Sequence, residues 1–279
     1  MAQAQCCTIA AVTLDRPRVM GILNVTPDSF SDGGKFFSPS RALDRAAAMI
    51  GEGADIIDIG GESTRPGAVE VSESEELERV VPVIEAIRGR FDVAISVDTS
   101  KPGVMRAAVA AGANLINDVR ALRAPGALQA AAELAVPVCL MHMQGEPRTM
   151  QQRPHYENVV AEVIAFLRER VEACQQAGIS AEHIVLDPGF GFGKTLEHNL
   201  QLLAALDVLV AQGFPVLAGL SRKSMLGALL GLEVEQRLPG SLALATIALM
   251  KGARIIRVHD VRESRQVADI CGALQRVNT

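Results

Sequence analysis

The strongest constraint on this fold is an alternation repeated through most of the chain: a short apolar run, a polar loop, then a segment with helical spacing. Apolar runs of strand length occupy residues 18–23, 55–59, 94–97, 115–119, 138–141, 184–186, 216–220 and 255–258. They are continuous rather than alternating, the pattern of parallel strands covered on both faces. Between the first two, Ser38-Pro39 supplies a cap and a first-turn proline, and Leu43, Ala46, Ala47 and Ile50 recur on one helical face until Gly51 and Gly53. Ser72 and Glu75 form a capping-box pattern before Leu77, Val80, Val81, Ile84 and Ile87, with a kink expected at Pro82. Further helices are expected over residues 104–111, 127–134, 156–177 and 196–211, in two pieces around Met225 and Leu244, and at the C-terminus. Eight strand–helix units predict the α/β class and a (β/α)8 TIM barrel, with residues 5–17 as an irregular hairpin closing its bottom. An open doubly wound sheet is the alternative. With 279 residues, 49% of them hydrophobic, and no linker or low-complexity segment, residues 1–279 read as a single domain.

Composition narrows the function. A formal net charge of −5 argues against a general nucleic-acid surface, so basic residues gathered in one place should serve a local anion. Cys6, Cys7, Cys139, Cys174 and Cys271 are odd in number and lack paired metal-ligand spacing, which fits a reducing cytoplasm better than a disulfide frame or structural zinc. The N-terminus lacks a basic stretch followed by an apolar run, and no apolar run approaches the ~20 residues that span a bilayer, so neither secretion nor a membrane is expected.

In a barrel, polar residues at the C-terminal ends of the strands mark the working face, because the strand interiors are packed with apolar side chains. Every run here ends in them: Asn24; Gly61-Glu62-Ser63-Thr64-Arg65-Pro66-Gly67; Asp98-Thr99; Asn117-Asp118; His142; Asp187 through Lys194; Ser221-Arg222-Lys223-Ser224; and His259-Asp260 after an embedded Arg257. One such aspartate would more often be a helix cap than a catalyst; eight coincident endings are hard to assign to capping. The first loop, Asn24 to Gly34, also sets an aromatic Phe30 between serines, which a surface turn does not explain.

The glycines at 189, 191 and 193 before Lys194-Thr195 do not meet the phosphate-loop spacing, which needs glycine where Pro188 stands, nor the dinucleotide pattern, which needs one at Leu196. They are read instead as letting the backbone lie flat beside a ligand, with Phe190 and Phe192 giving apolar contact. Arg222, Lys223, Arg257 and His259 fall in the loops that barrels most often use for phosphate, and Arg65 can reach in from the second loop. Arg257, within an apolar strand, must have a partner for its charge. Asp98, Asn117 and Asp187 offer two carboxylates and an amide to a flat heterocycle rich in N–H groups.

These blocks, taken in order from residue 21 to residue 259, resemble the signature segments of bacterial dihydropteroate synthases along nearly the whole chain. The resemblance implies a TIM barrel that condenses 6-hydroxymethyl-7,8-dihydropterin diphosphate with 4-aminobenzoate, releasing diphosphate and 7,8-dihydropteroate for folate synthesis; sulfonamides compete with the aminobenzoate in that family. It implies that Asp187, Asn117 and Asp98 bind the pterin edge, Lys223 donates to the carbonyl side, Met141 packs on the ring, and Arg257 stacks on it while reaching phosphate. Asn24 would ligate Mg²⁺ bridged to the diphosphate, with Thr64, Arg65 and His259 on phosphate oxygens. The aminobenzoate would lie among Phe30, Pro66, Phe192 and Ser224. Asp28 is the candidate for the carboxylate that stabilises a dihydropterin cation once the C–O bond breaks, and Lys223 and Arg257 complete the catalytic set. No role falls to His142. A homodimer and no nucleic-acid or membrane partner are implied. The pterin-binding barrel of folate-dependent methyltransferases is the rival reading, but it would not need the anion loops 221–223 and 257–259; a non-enzymatic pterin binder would be separated by a turnover assay.

Overall fold

The computed structural model describes residues 7–26, 39–63, 70–146 and 149–277. A two-residue antiparallel hairpin, β1 (Thr8–Ile9) and β2 (Val12–Thr13), precedes eight parallel strands. These are β3 (Arg18–Asn24), β4 (Ile56–Gly60), β5 (Ala94–Asp98), β6 (Leu115–Asp118), β7 (Val138–Met141), β8 (Ile184–Asp187), β9 (Leu217–Ala218) and β10 (Ile255–Val258). Neighbours pair in chain order from β3 to β8, and β10 lies between β9 and β3. A parallel bridge between Leu186 and Val216, with Leu186 N–H donating to Pro215 O at 2.9 Å, joins β8 to the β9 segment and closes the ring. The barrel, not the open sheet, is therefore the architecture.

Helices α1 (Pro39–Gly51), α2 (Glu73–Arg88), α3 (Pro102–Ala110), α4 (Ala127–Leu134), α5 (Val159–Gln176), α6 (Leu196–Ala204), α7 (Leu206–Val210), α8 (Ser224–Leu230), α9 (Leu238–Met250) and α10 (Val261–Val277) follow the strands. Ser72 caps α2 by accepting from Glu75 N–H at 3.2 Å, but Glu75 turns its carboxylate to Arg79 instead of completing the box. The helix also runs through Pro82 without interruption. The segment expected as one helix over residues 196–211 breaks at Ala205, and the second piece buries Leu206 and Leu209. Among the described residues no helix is long and apolar enough to cross a membrane.

Alternate residues of a strand face opposite sides. Outward residues such as Val19, Ile57, Ile95 and Leu140 join the helices in the main core, where a fully buried side chain of this size contributes about 1.5–3 kcal/mol. Inward, Met20, Ile56, Ala94, Leu115, Cys139, Val185, Leu217 and Ile255 form a second apolar cluster, plugged from below by Cys7, Ile9 and Leu14 of the hairpin region. Two residues further along each strand the inward positions include Asp58, Asn117, Asp187 and Arg257. With the bottom filled by hydrocarbon, polar chemistry is confined to the C-terminal end of the barrel.

Candidate active site

Arg257, inward on β10, donates from Nε to Asp58 Oδ2 at 2.6 Å and from a terminal nitrogen to Asp98 Oδ2 at 2.7 Å. Asn117 Nδ2 lies 3.3 Å from Asp58 Oδ2, so three strands converge on one carboxylate that has no solvent exposure. Burial works against the Arg257 charge, but Asp58 and Asp98 outweigh it and hold its pKa above the ordinary value. Burial pushes Asp98 up to about 7; Arg257 opposes that shift, while Asp58 and Asp118 add to it. Asp58 was absent from the residues singled out by sequence. Its signal was a carboxylate embedded in an apolar strand, the complement of the embedded Arg257.

Asp187 ends β8 beside Met141 of β7, and its Oδ1 accepts from Gly189 N–H at 2.7 Å. Burial raises its pKa against that hydrogen bond and the charges of Lys223, Arg257 and Lys194. Val119, Met141, Met143, Met150 and Phe192 pack into an apolar wall. The Lys223 ammonium stands over Phe192, 4.1 Å from the ring centroid, a cation–π contact. Burial, then Arg257, lowers the Lys223 pKa to about 8. Asp98, Asn117, Met141, Asp187, Phe192, Lys223 and Arg257 thus share one end of the barrel.

Gly189, Gly191 and Gly193 all have positive φ. At Gly189 and Gly193 the reason is the neighbouring chain rather than a ligand, while Gly191 lies against the Lys223 side chain. A Cβ on Gly189 would lie 1.9 Å from His142 O and one on Gly193 2.4 Å from Gln144 O, so the glycines let the loop press against the chain after β7. Phe190 is fully buried in the outer core and gives no contact in the site. Lys194, only 3% exposed, turns inward and staples the loop: Nζ lies 2.9 Å from His142 Nδ1, 2.9 Å from Gly189 O and 3.0 Å from Phe192 O. Burial and the Lys194 charge lower the His142 pKa to about 3, so the imidazole is neutral and Nδ1 accepts from the ammonium. This gives His142 a structural role and removes the phosphate-loop reading of Lys194.

After β10, Ser221 Oγ accepts from the His259 backbone N–H at 3.2 Å and lies 3.0 Å from His259 Nδ1. Burial, then Arg257 and Arg222, lowers the His259 pKa to about 4. The serine hydroxyl is placed to donate to Nδ1, leaving Nε2–H of the neutral ring as a donor. Arg222 is not a free cation: both its Nε and a terminal nitrogen donate to Asp260. Ser224 is exposed at the start of α8, and Asn24 is half-buried at the end of β3 opposite Gly60. Asp28, Phe30, Thr64, Arg65 and Pro66 lie outside the described residues. The base of the second loop is nevertheless anchored, with Lys101 bridging Glu62 and the buried Glu76, and Arg79 donating to Gly61 O at 2.8 Å.

The site brings the acceptors Asp98, Asn117 and Asp187 together with the donors Lys223, Arg257 and His259, a combination suited to a ring with N–H groups that carries an anionic tail. The Pterin binding enzyme family matches residues 20–259 of this chain. A dihydropteroate synthase of Haemophilus influenzae is 62% identical over 248 residues, covering 89% of this chain and 90% of the relative. A solved structure of Yersinia pestis dihydropteroate synthase with a sulfonamide drug complex superposes with a TM-score of 0.92 at 55% identity, covering 97% of this chain and 99% of that one. The Xanthomonas albilineans dihydropteroate synthase in complex with 7,8-dihydropteroate gives 0.86 at 52% identity, covering 95% of both chains.

Proposed function

This chain belongs to the dihydropteroate synthase family, and we propose that its site condenses 6-hydroxymethyl-7,8-dihydropterin diphosphate with 4-aminobenzoate, giving 7,8-dihydropteroate and diphosphate. The observation that carries the reading is the constellation of Asp98, Asn117, Asp187, Lys223 and Arg257 at the C-terminal end of the barrel, where hydrogen-bond acceptors stand beside cations. Asp187 accepts from the pterin 2-amino and N3–H groups, Asn117 and Asp98 take the rest of that edge, and Lys223 donates to the carbonyl side. Met141 packs on the ring. Arg257 stacks on it and, with Thr64, Arg65 and His259, binds phosphate oxygens. Phe30, Pro66, Phe192 and Ser224 receive the aminobenzoate.

Mg²⁺ fits the donor set. The Asn24 side chain and Asp98 Oδ2 face the open side of Gly60, where an added Cβ would lie 3.7 Å from an oxygen of each. Among the described residues no group of three or more His, Cys, Asp or Glu forms a dedicated cage, as suits an ion that shares one protein oxygen with substrate phosphates and water. Asn24 would hold it, and the ion when bound would supply positive charge to the departing diphosphate.

Titration calorimetry with 6-hydroxymethyl-7,8-dihydropterin tests the reading. The wild-type protein is expected to bind, and Asp187→Asn to weaken binding by about 1–3 kcal/mol, because an amide offers one acceptor and one mismatched donor where the carboxylate offered two acceptors. Unchanged affinity in the variant would remove Asp187 from ring recognition, and a wild type that binds no pterin would remove the reading. The pH profile supplies a second check. Lys223, with its pKa drawn down from 10.5 to about 8, is protonated below that value and loses its charge as pH rises through it. An alkaline limb in kcat/KM near pH 8 is expected, displaced upward in Lys223→Arg; a limb that stays in place in that variant would assign it to another group.

We propose a homodimer formed on the exposed faces of α9 and α10. Ile247 and Met250 of α9, with Ile270 and Leu274 of α10, are between 43% and 63% exposed on adjacent helices, an apolar patch suited to burial against a second copy. Analytical ultracentrifugation is expected to give twice the chain mass, and Ile270→Glu with Leu274→Glu to give a monomer. A monomeric wild type at micromolar concentration would contradict it. Cys139, Cys174 and Cys271 are buried free thiols, as a reducing cytoplasm would keep them.

A further inference from the structure

Two groups assigned above to the ligand, the Asn117 amide and the Arg257 guanidinium, are held by one residue that cannot itself touch a ligand. Asp58 has no solvent exposure and stands one inward position deeper on its strand than Gly60. Its Oδ2 accepts from Arg257 Nε at 2.6 Å, and Asn117 Nδ2 lies 3.3 Å from Oδ2 and 3.5 Å from Oδ1. An ionised carboxylate only accepts, so Asp58 determines which end of the Asn117 amide faces it: the NH2 group turns inward and Oδ1 is left to accept. Arg257 is fixed in the same way. With Nε taken by Asp58 and one terminal nitrogen by Asp98, its plane is set, and among the described residues no hydrogen bond takes the other terminal nitrogen. A flipped amide would present N–H to N–H across the pterin edge.

From this geometry we infer that Asp58 is a positioning residue for pterin recognition, setting the acceptor face of Asn117 and the plane of Arg257 through hydrogen bonds made beneath the ligand. The inference rests on the proposed pterin site. It differs from a purely structural role in predicting that the Asp58–Asn117 pair can be exchanged: an amide at 58 donating to a carboxylate at 117 would again leave an oxygen facing the ring.

The test is calorimetry with 6-hydroxymethyl-7,8-dihydropterin on wild type, Asp58→Asn, Asn117→Asp and the exchanged double variant, with circular dichroism to follow folding. Each single variant is expected to lose about tenfold or more in affinity, because Asp58→Asn leaves one neutral acceptor oxygen for two donors and no longer fixes the Asn117 amide, and Asn117→Asp sets two carboxylates face to face; the exchange is expected to recover most of the loss seen in Asn117→Asp. Should Asp58→Asn alone fail to fold, the exchange still decides. An exchanged variant that recovers neither folding nor binding overturns the inference, as does Asp58→Asn binding within twofold of wild type. A wild type that binds no dihydropterin would instead overturn the proposed function.

Discussion

Replacing Arg257 with methionine is expected to destabilise the protein by about 3–5 kcal/mol and to lower kcat/KM by about 10³ or more. The stability loss follows from what remains behind. Asp58 is fully buried and Asp98 largely so, and Arg257 is the cation bonded to both. Removing it leaves two carboxylates facing each other in a medium where charge is poorly solvated. The pH dependence has a definite sign. Asp98 already has its pKa raised to about 7, and without Arg257 it rises further. A carboxylate whose folded pKa exceeds its unfolded value costs stability above the unfolded value, and the cost is relieved as pH falls through the folded one. The deficit of Arg257→Met is therefore expected to shrink between pH 8 and pH 5. Urea unfolding at both values measures it, and an equal deficit at both would show that the carboxylates are not left as a charged pair. The catalytic loss, about 4 kcal/mol or more, follows because the guanidinium is assigned to both the ring and the diphosphate.

Asp28→Asn is expected to lower kcat by about 10²–10³ while leaving pterin diphosphate binding nearly intact. An arylamine is a weak nucleophile, and a diphosphate held by cations is a good leaving group, so we propose that the C–O bond breaks before the C–N bond forms. The electron pair leaves with the diphosphate, the pterin methylene becomes a cation delocalised into the dihydropterin, and the amine then adds and loses a proton. A carboxylate near that cation would stabilise a charge that exists only after cleavage, hence an effect on kcat and not on binding. In sequence Asp28 follows four positions after Asn24, and it is Asn24 that ends β3 on the site side of the barrel. In a rapid-quench experiment the wild type with pterin diphosphate and Mg²⁺ is expected to release some diphosphate before 4-aminobenzoate is added. Release only in the presence of the arylamine, at a rate that follows its nucleophilicity, would favour direct displacement and remove this role from Asp28.

The barrel was legible because parallel strands buried on both faces leave a signal that survives without any relatives: a continuous apolar run followed at once by polar residues. Seven of the eight runs became strands within a residue or two of their expected limits, and the run at 216–220 shortened to the two residues of β9. The site was legible where strand ends carried unlike residues, as at Asp98, Asn117 and Asp187. It was not legible where a residue's meaning depends on a partner far away in sequence. Asp58 lies inside a run that reads as buried strand, and only the fold shows it to be the carboxylate that the buried Arg257 requires. Lys194 and His142 likewise needed the fold to bring them together, since only the close approach at Gly189 shows why a lysine should turn into carbonyl oxygens. Phe190 and Phe192, two residues apart, read alike, yet the first is core and the second lies beneath Lys223. Arg222 looked like part of the anion site until Asp260 took up its guanidinium.

Product formation is the most direct measure of the central claim. Protein mixed with 6-hydroxymethyl-7,8-dihydropterin diphosphate, 4-aminobenzoate and Mg²⁺, and followed by mass spectrometry, is expected to yield 7,8-dihydropteroate and diphosphate in equal amounts, with both rates falling in Arg257→Met. Binding of the pterin without dihydropteroate, or diphosphate release by hydrolysis alone when the arylamine is saturating, would contradict it.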